Sequence, residues 1–528
     1  MILNEFYKNF KEVLDDRSQK EQHRKNQLYA KFYDTLPIVD HSILYEVRDG
    51  QSITDSPFAL FKYILEHDQE KKYQHIWSIQ SSEELEKAIS PYLAMSNVTF
   101  VERDSEDYLK WLAQAQYLLN NSTFQSFFVP RPEQTYINTW HGTPLKHMGY
   151  DIPGNPAGSQ NVIRNFLNAD YIISPNAHTT EIFSKAFRLE GIYEGTILEM
   201  GYPRNDLTFH SNRQAIVETL NQQGLSVSPN EKIVLYSPTW KGTDTKNAQD
   251  NMKKIIVEMN FLAEQLGPEY HVLFKVHPFL YTIATNYPEA RSRLISDQMD
   301  MNELLSIVDI LITDYSSVFF DYLVTDRPIL FYAWDQDLYA QDRGMYLDEK
   351  ELPGPIYEHI DEVANAILHI EDIKASYQNV YQAAKKRFVG YDDGNVAERL
   401  YHLVFCMENV DHVKIVQLRN DKEKILIYPG GLLNNGITNS FINLTNNIDY
   451  DRYDVTCFLG ASHHEDILYN QNRIHPKVRL LFKPGIPVYR FQEAIADRLI
   501  RSHGLTSKLK SRYPDKAYQR EMRRLTGG

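Results

Sequence analysis

Residues Ile137–Gly149 read INTWHGTPLKHMG. A strand-like approach over Gln134–Trp140 runs into His141-Gly142-Thr143-Pro144, and Leu145–Met148 is expected to open a helix. Gly142 permits a backbone turn that a side chain would obstruct, and Pro144 suits the first turn of a helix. His141 is therefore expected at a strand-to-helix junction, beside backbone N–H groups that favour anions. In an open parallel sheet, that is where chemistry is placed.

Outward from this stretch, short apolar strands alternate with helices. His41–Val47, Tyr73–Ile79, Val98–Val101, Tyr117–Leu119, Tyr136–Trp140 and Tyr171–Ser174 read as strands. Asp55–Glu66, Ser82–Ser90, Tyr108–Ala113 and Asn161–Leu167 read as the helices between them. After Gly201-Tyr202-Pro203-Arg204-Asn205-Asp206 the alternation restarts with strands Ile233–Tyr236, His271–Val276, Ile310–Thr313 and Ile329–Tyr332. This spacing implies α/β architecture: two Rossmann-like domains with parallel sheets, facing a cleft. From Lys424 a partial third α/β module follows, in which PGGLLNNGITNSFINL is a Gly-rich turn entering a helix. It ends before a complete two-domain unit, as a shortened chain would. The expected units are a charged helical arm over 1–34, domains over 35–205 and 206–410, and the module over 424–528.

Composition narrows the function. A chain of 528 residues with 42% apolar side chains builds two to four full-sized cores. Its 35 tyrosines suit surfaces that meet sugars, bases or lipid headgroups, and equally suit half-buried core positions. Two cysteines, Cys406 and Cys457, give neither a disulfide framework nor metal spacing, as in a reducing compartment. The N-terminus is charged throughout, unlike a secretory signal, and no apolar run reaches the roughly 18 residues of a membrane span. A formal net charge of −14 argues against nucleic-acid binding. Arg498–Arg524 carries nine Lys/Arg against two acids, a patch for anionic lipid or, the favoured reading, a solvated face.

The second domain carries candidate phosphate-binding turns. In LYSPTWKG (Leu235–Gly242), Ser237, Thr239 and the backbone are positioned for phosphate, with Lys241 adding charge. FKVHP (Phe274–Pro278) sets Lys275 and His277 at the next strand end. DILITDYSSVFFDYL (Asp309–Leu323) runs from a strand into a helix start where Ser316 and Ser317 offer hydroxyls and free N–H groups to a diphosphate. Asp314 is expected to point away from phosphate, capping a helix or orienting His277. Arg327 pairs with phosphate or, the favoured reading, with an acid. Asp335-Gln336-Asp337 has metal-ligand spacing but reads as a surface loop, so no metal is expected.

WHGTPLK, YSPTW, KVHP, TDYSSVFFDY and RPILFY, in this order and spacing, resemble the CDP-glycerol glycerophosphotransferase family of teichoic-acid polymerases and primases. VRDGQSITDSPFALFKYIL (Val47–Leu65) and RGMYLDEKELPGPI (Arg343–Ile356) resemble the same family, so that the likeness spans about residues 35–405. The resemblance implies a GT-B fold with an acceptor domain (35–205) and a donor domain (206–410). It implies transfer of glycerol or ribitol phosphate from a CDP-polyol to a lipid-linked teichoic-acid or capsule-type acceptor, with release of CMP and no required cofactor. It also implies a peripheral location at the cytoplasmic face of the bacterial membrane. The family's functional histidines fall on His141 and His277, and its donor-phosphate contacts on the Thr239 and Ser316-Ser317 motifs. GGLLNNGIT resembles instead the first half of a GT-B glycosyltransferase, raising a bifunctional polymerase. His141 is accordingly expected as base, with Lys275, His277, Thr239, Ser316 and Ser317 steadying charge across the cleft. Two other readings share these motifs: a sugar transferase, which would release a nucleoside diphosphate, and a non-catalytic membrane scaffold.

Overall fold

The structure, a computed structural model, describes residues 2–153, 156–239, 245–334, 344–462, 464–503 and 512–527. It is α/β, with three sheets. In spatial order the first sheet holds Lys414–Val416, Thr196–Glu199, Tyr171–Ser174, Thr135–Asn138, Ala115–Asn120, Val39–Glu46, Gln74–Ile79 and Val98–Glu102. All its pairings are parallel except that of Lys414–Val416 with Thr196–Glu199. The second sheet, parallel throughout, runs Ile356–Tyr357, Ile329–Tyr332, Ile310–Thr313, Lys232–Ser237, Tyr270–Phe274. These strands are nearly continuous apolar runs because helices cover both faces of each sheet, two buried clusters flanking each. The two domains face a cleft, the GT-B arrangement expected from the sequence.

Each sheet reverses its strand order once. In the first the reversal lies between Val39–Glu46 and Ala115–Asn120; in the second, between Lys232–Ser237 and Ile310–Thr313. A crevice opens beyond the carboxyl ends of the strands at such a reversal. Here the two crevices confront one another.

The strands expected from sequence are present within a few residues, but other expectations need correction. Leu145–Met148 is not helical. Its backbone pairs with the other domain, Tyr346 N–H donating to Leu145 O at 2.8 Å and His147 N–H to Gly344 O at 3.1 Å. Cross-domain pairing overrides the helix signal of Pro144. Nor are residues 1–34 a separate arm. Helices Ile2–Gln19 and Glu21–Thr35 dock onto the molecule, with Tyr29 fully buried and its hydroxyl donating to Val129 O. The second-domain span to 410 also gives up its end. Helix Val396–Leu400 and Val404–Phe405 belong to the first domain's core.

The basic C-terminal patch is largely spent inside the molecule. Arg498 pairs with Glu12 and Asp16, buried Arg520 with Asp34 and Glu493, and buried Arg524 with Glu521. Residues 504–511 of that stretch lie outside the described residues. No helix among the described residues is long and apolar enough to cross a membrane. The third sheet, Glu423–Ile427, Tyr453–Gly460 and Arg479–Lys483, is parallel, and in the Gly-rich turn Asn435 caps helix Gly436–Thr445 through Thr438 N–H.

The chain crosses between the two domains at 200–206 and returns at 389–397. Asp392 ties the crossings together, its Oδ1 accepting from Tyr202 N–H and Asn205 Nδ2, each at 2.9 Å. Its Oδ2 is buried with no hydrogen-bond partner among the described residues. Desolvation pushes the Asp392 carboxyl from 3.8 up to about 7, and nearby Asp206 to about 7 as well. A carboxyl raised on folding stabilises below its unfolded value and loses that contribution as pH rises through the folded one. The contribution of these two carboxyls to stability toward urea is therefore expected to fall between about pH 4 and pH 7, the window set by these values. Asp392→Asn keeps the Oδ1 acceptor and should flatten that slope; a variant with the wild-type slope would refute the assignment.

Candidate functional site

At the first reversal, strand Val39–Glu46 ends in Val47-Arg48-Asp49 and strand Ala115–Asn120 ends in Asn121. Asn121 O accepts a hydrogen bond from His141 Nδ1 at 2.7 Å. A carbonyl only accepts, so Nδ1 carries the proton and the Nε2 lone pair stays open. The His141 ring lies on Trp140, centroids 4.2 Å apart, and is exposed towards the cleft. Desolvation by these walls lowers its pKa; the Asn121 bond and Asp55 oppose the shift, and Arg204 adds to it. The neutral imidazole is consequently favoured.

The second reversal supplies the facing wall. Asp314 is buried and accepts from both the backbone N–H and the hydroxyl of Thr239, each at 2.9 Å. Asp314 thus points away from the cleft, as a carboxylate should near a phosphate site. Asp314 takes both hydrogen bonds of Thr239, whose hydroxyl proton is thereby committed to it. Ser316 and Ser317 are half-buried ahead of helix Val318–Tyr322. A Cβ on Gly142 would stand 3.1 Å from Ser317 Oγ, so the missing side chain lets the two loops meet.

Lys275 and His277 follow strand Tyr270–Phe274. Lys275 is buried, its ammonium donates to Ser296 O at 2.7 Å, and desolvation lowers its pKa to about 8. His277 is exposed towards the cleft. Desolvation lowers its pKa, helped by Arg48 and Lys146 and opposed by Asp297.

Ion pairs close the domains on this space. Arg204 Nη2 contacts both carboxylate oxygens of Asp321 at 3.1 and 2.8 Å, and Nη1 reaches Asp55 at 3.3 Å. Arg48 grips Asp297 through two bonds at 3.2 and 3.0 Å. Between the walls lies a cavity of about 260 Å³.

His141, Thr239, Lys275, His277, Ser316 and Ser317 therefore converge on one cavity. Arg327 does not. Its guanidinium lies among the strand entries at the opposite end of the second sheet, donating to Ser306 O and Val308 O, so it pairs with backbone instead of phosphate or acid. Lys241 and Asp335-Gln336-Asp337 lie outside the described residues. Sequence reasoning missed Arg48, Asp55, Arg204, Asp297, Asp300 and Asp321, all of which line the cavity. Arg48 stands just after a strand in VRDG, whereas Asp55 and Arg204 lie at the starts of helices in TDSPF and YPRND, and nothing local marks any of the six as lining a site.

Residues 28–406 match the model of the CDP-Glycerol:Poly(glycerophosphate) glycerophosphotransferase family. A teichoic acid poly(glycerol phosphate) polymerase of Bacillus spizizenii (strain ATCC 23059 / NRRL B-14472 / W23) is 36% identical over 353 residues, 64% of this chain and 86% of that protein. The protein of the same name from Bacillus subtilis (strain 168) is 31% identical over 76% of this chain, which spans 55% of its length. A solved structure of the wall teichoic acid polymerase TagF, a histidine variant soaked with CDPG, superposes with a TM-score of 0.62. It is 28% identical over 77% of this chain and 98% of that one.

Removing one partner from a buried ion pair strands the other charge, at about 3–5 kcal/mol. Arg204→Met, similar in volume, leaves Asp321 and Asp55 unpaired and should destabilise the protein by about that amount in urea unfolding. A loss below about 1 kcal/mol, the ordinary surface-pair value, would mean that the cluster is effectively solvated.

Proposed function

This chain belongs to the CDP-glycerol:poly(glycerophosphate) glycerophosphotransferase family, and on that premise we propose that it transfers glycerol phosphate from CDP-glycerol to a hydroxyl of a teichoic-acid acceptor, releasing CMP. The observation that carries the reading is His141, neutral and with Nε2 open, facing the Ser316-Ser317 turn across a cavity built on two strand-order reversals. The acceptor hydroxyl gives its proton to Nε2 as its oxygen bonds to the glycerol-bearing phosphorus. The bond from that phosphorus to CMP breaks. His277, the Lys275 charge and the donors of Ser316 and Ser317 meet the developing negative charge from the second domain. Glycerol is preferred to ribitol because both polymerases compared above are named for poly(glycerol phosphate).

Catalysis on this reading requires no metal. The cavity carboxylates are engaged already: Asp297 by Arg48, Asp321 and Asp55 by Arg204, and Asp300 by the Asp55 N–H at 2.7 Å. The described group of metal-ligating type, His402, Cys406 and Glu408, lies elsewhere, with neighbouring Phe405 stacked on Tyr117 near the opposite end of the first sheet. The test is CMP release from CDP-glycerol and CDP-ribitol with a short teichoic-type acceptor. Turnover is expected with CDP-glycerol, undiminished by EDTA, falling on the acid side as His141 protonates below its ordinary 6.5. His141→Ala should lose about 10²–10⁴-fold, the usual worth of a general base. Silence with both donors, or release of a nucleoside diphosphate from a sugar donor, would overturn the reading; complete loss in EDTA would overturn metal independence.

A lipid-linked acceptor and peripheral placement at the cytoplasmic membrane face complete the proposal. Support comes from the teichoic-acid relatives, while the internal pairing of Arg498, Arg520 and Arg524 removes much of the charge that would grip anionic lipid. Co-sedimentation with vesicles should therefore require acceptor lipid and change little with salt. Salt-sensitive binding to plain anionic vesicles would point to an electrostatic surface instead.

A further inference from the structure

Asp55 is the least expected residue at the centre of the site. It opens helix Asp55–His67 in the left-handed region, at φ 67°, a conformation costly for a residue with a side chain. Its surroundings hold it there from three sides. The backbone N–H donates to Asp300, Oδ2 accepts from Asn121 Nδ2 at 2.9 Å, and Oδ2 also meets Arg204. Asn121 is the residue whose carbonyl fixes the His141 tautomer, so a single residue joins the carboxylate to the imidazole.

We propose that Asp55 is the positioning carboxylate of the base: through Asn121 it aims the His141 ring and stabilises the imidazolium formed when the acceptor proton is taken. The arrangement resembles in logic a carboxylate–histidine pair with an asparagine inserted between the two. Asp55 raises the pKa of His141 and Arg204 lowers it, so the donor-domain contact Arg204–Asp321 moderates the carboxylate's pull. The base is then fully set when the two domains are together. Arg204 loses the Asp55 contact but keeps Asp321, and the other ionisable groups around His141 keep their partners if Asp55 changes. Arg48 and Asp297 hold each other, Lys275 is bound to Ser296 O, and Asp321 is held by Arg204. His277 remains across the cleft. Asp300 loses nothing, because its bond is to the Asp55 backbone.

The role rests on the transfer reading, but its test does not. The pH dependence of His141 ethoxycarbonylation by diethyl pyrocarbonate, followed by peptide mass spectrometry, reads the imidazole without substrate. Asp55→Asn should move the midpoint down by about half to one pH unit, as loss of a nearby negative charge requires. Asp55→Glu, which keeps the charge, should stay near wild type. In turnover, Asp55→Asn should lower kcat about 10- to 100-fold with KM for CDP-glycerol within about threefold, and shift the acid limb the same way. Asn121→Ala, which cuts the bridge but keeps the carbonyl, should lower kcat similarly and serves if the Asp55 variants do not fold. An unchanged midpoint in folded Asp55→Asn, an equal shift in Asp55→Glu, or a loss confined to KM would overturn the proposal. A wild type that releases no CMP would sink the transfer reading and leave the His141 midpoint to decide this one.

Discussion

The buried guanidinium of Arg204, held between Asp321 of one domain and Asp55 of the other, is the contact on which the site depends. Taking three charges out of water costs several kcal/mol per ion, and their mutual attraction barely recovers it. One donor, Nε, is buried without a partner among the described residues, a further cost. A hydrophobic cluster would hold two domains together at least as well. What the ions add is direction: forked donors on two carboxylates fix the angle between domains, whereas apolar packing tolerates sliding. That angle sets how far His141 stands from the Ser316-Ser317 turn. Gly142 makes the distance attainable, because Ser317 Oγ occupies the approach that a side chain there would need.

Backbone strain also lies around the same contact. Arg48, Asp49, Asp55 and Trp140 all adopt positive φ, and they flank the strand-order reversal of the first sheet. Such conformations persist only where the surroundings over-determine them. Asp300 holds the Asp55 N–H, Asn138 Oδ1 accepts from Trp140 N–H, and Asn121 Oδ1 accepts from Arg48 N–H. The polar network therefore preorganises the chemistry and holds the strain in place.

These two layers also explain what the sequence disclosed. Strands such as ILIT (Ile310–Thr313) and YIIS (Tyr171–Ser174) announce themselves because burial on both faces demands unbroken apolar runs. His141, Lys275, His277 and the serines were legible because they follow such runs directly. Asp55, Arg204 and Asp321 were not, since their partners lie 117 to 149 residues away and nothing local marks a carboxylate as belonging to a distant arginine. The same limit governs Leu145–Met148, where pairing with residues 344–346 overrides a proper helix-start signal. It governs Arg327 as well, whose position before a strand resembles a phosphate site but whose reach ends at two carbonyls on the far side of the sheet.

Charge shows how far composition misleads without contacts. Arg498, Arg520 and Arg524 read as a basic surface in sequence, yet their partners Glu12, Asp16 and Asp34 come from the first 34 residues and Glu493 and Glu521 from their own neighbourhood. Carboxylates of the N-terminal helices and arginines of the C-terminal ones neutralise one another where both pack on the first domain. Arg524 extends this by donating to Ser126 O, so the C-terminal helix reads the backbone of the domain that carries His141. That docking seats the third module on the first domain. The second domain remains linked to it through the two crossings at 200–206 and 389–397, and through the Arg204 and Arg48 pairs that register the domains.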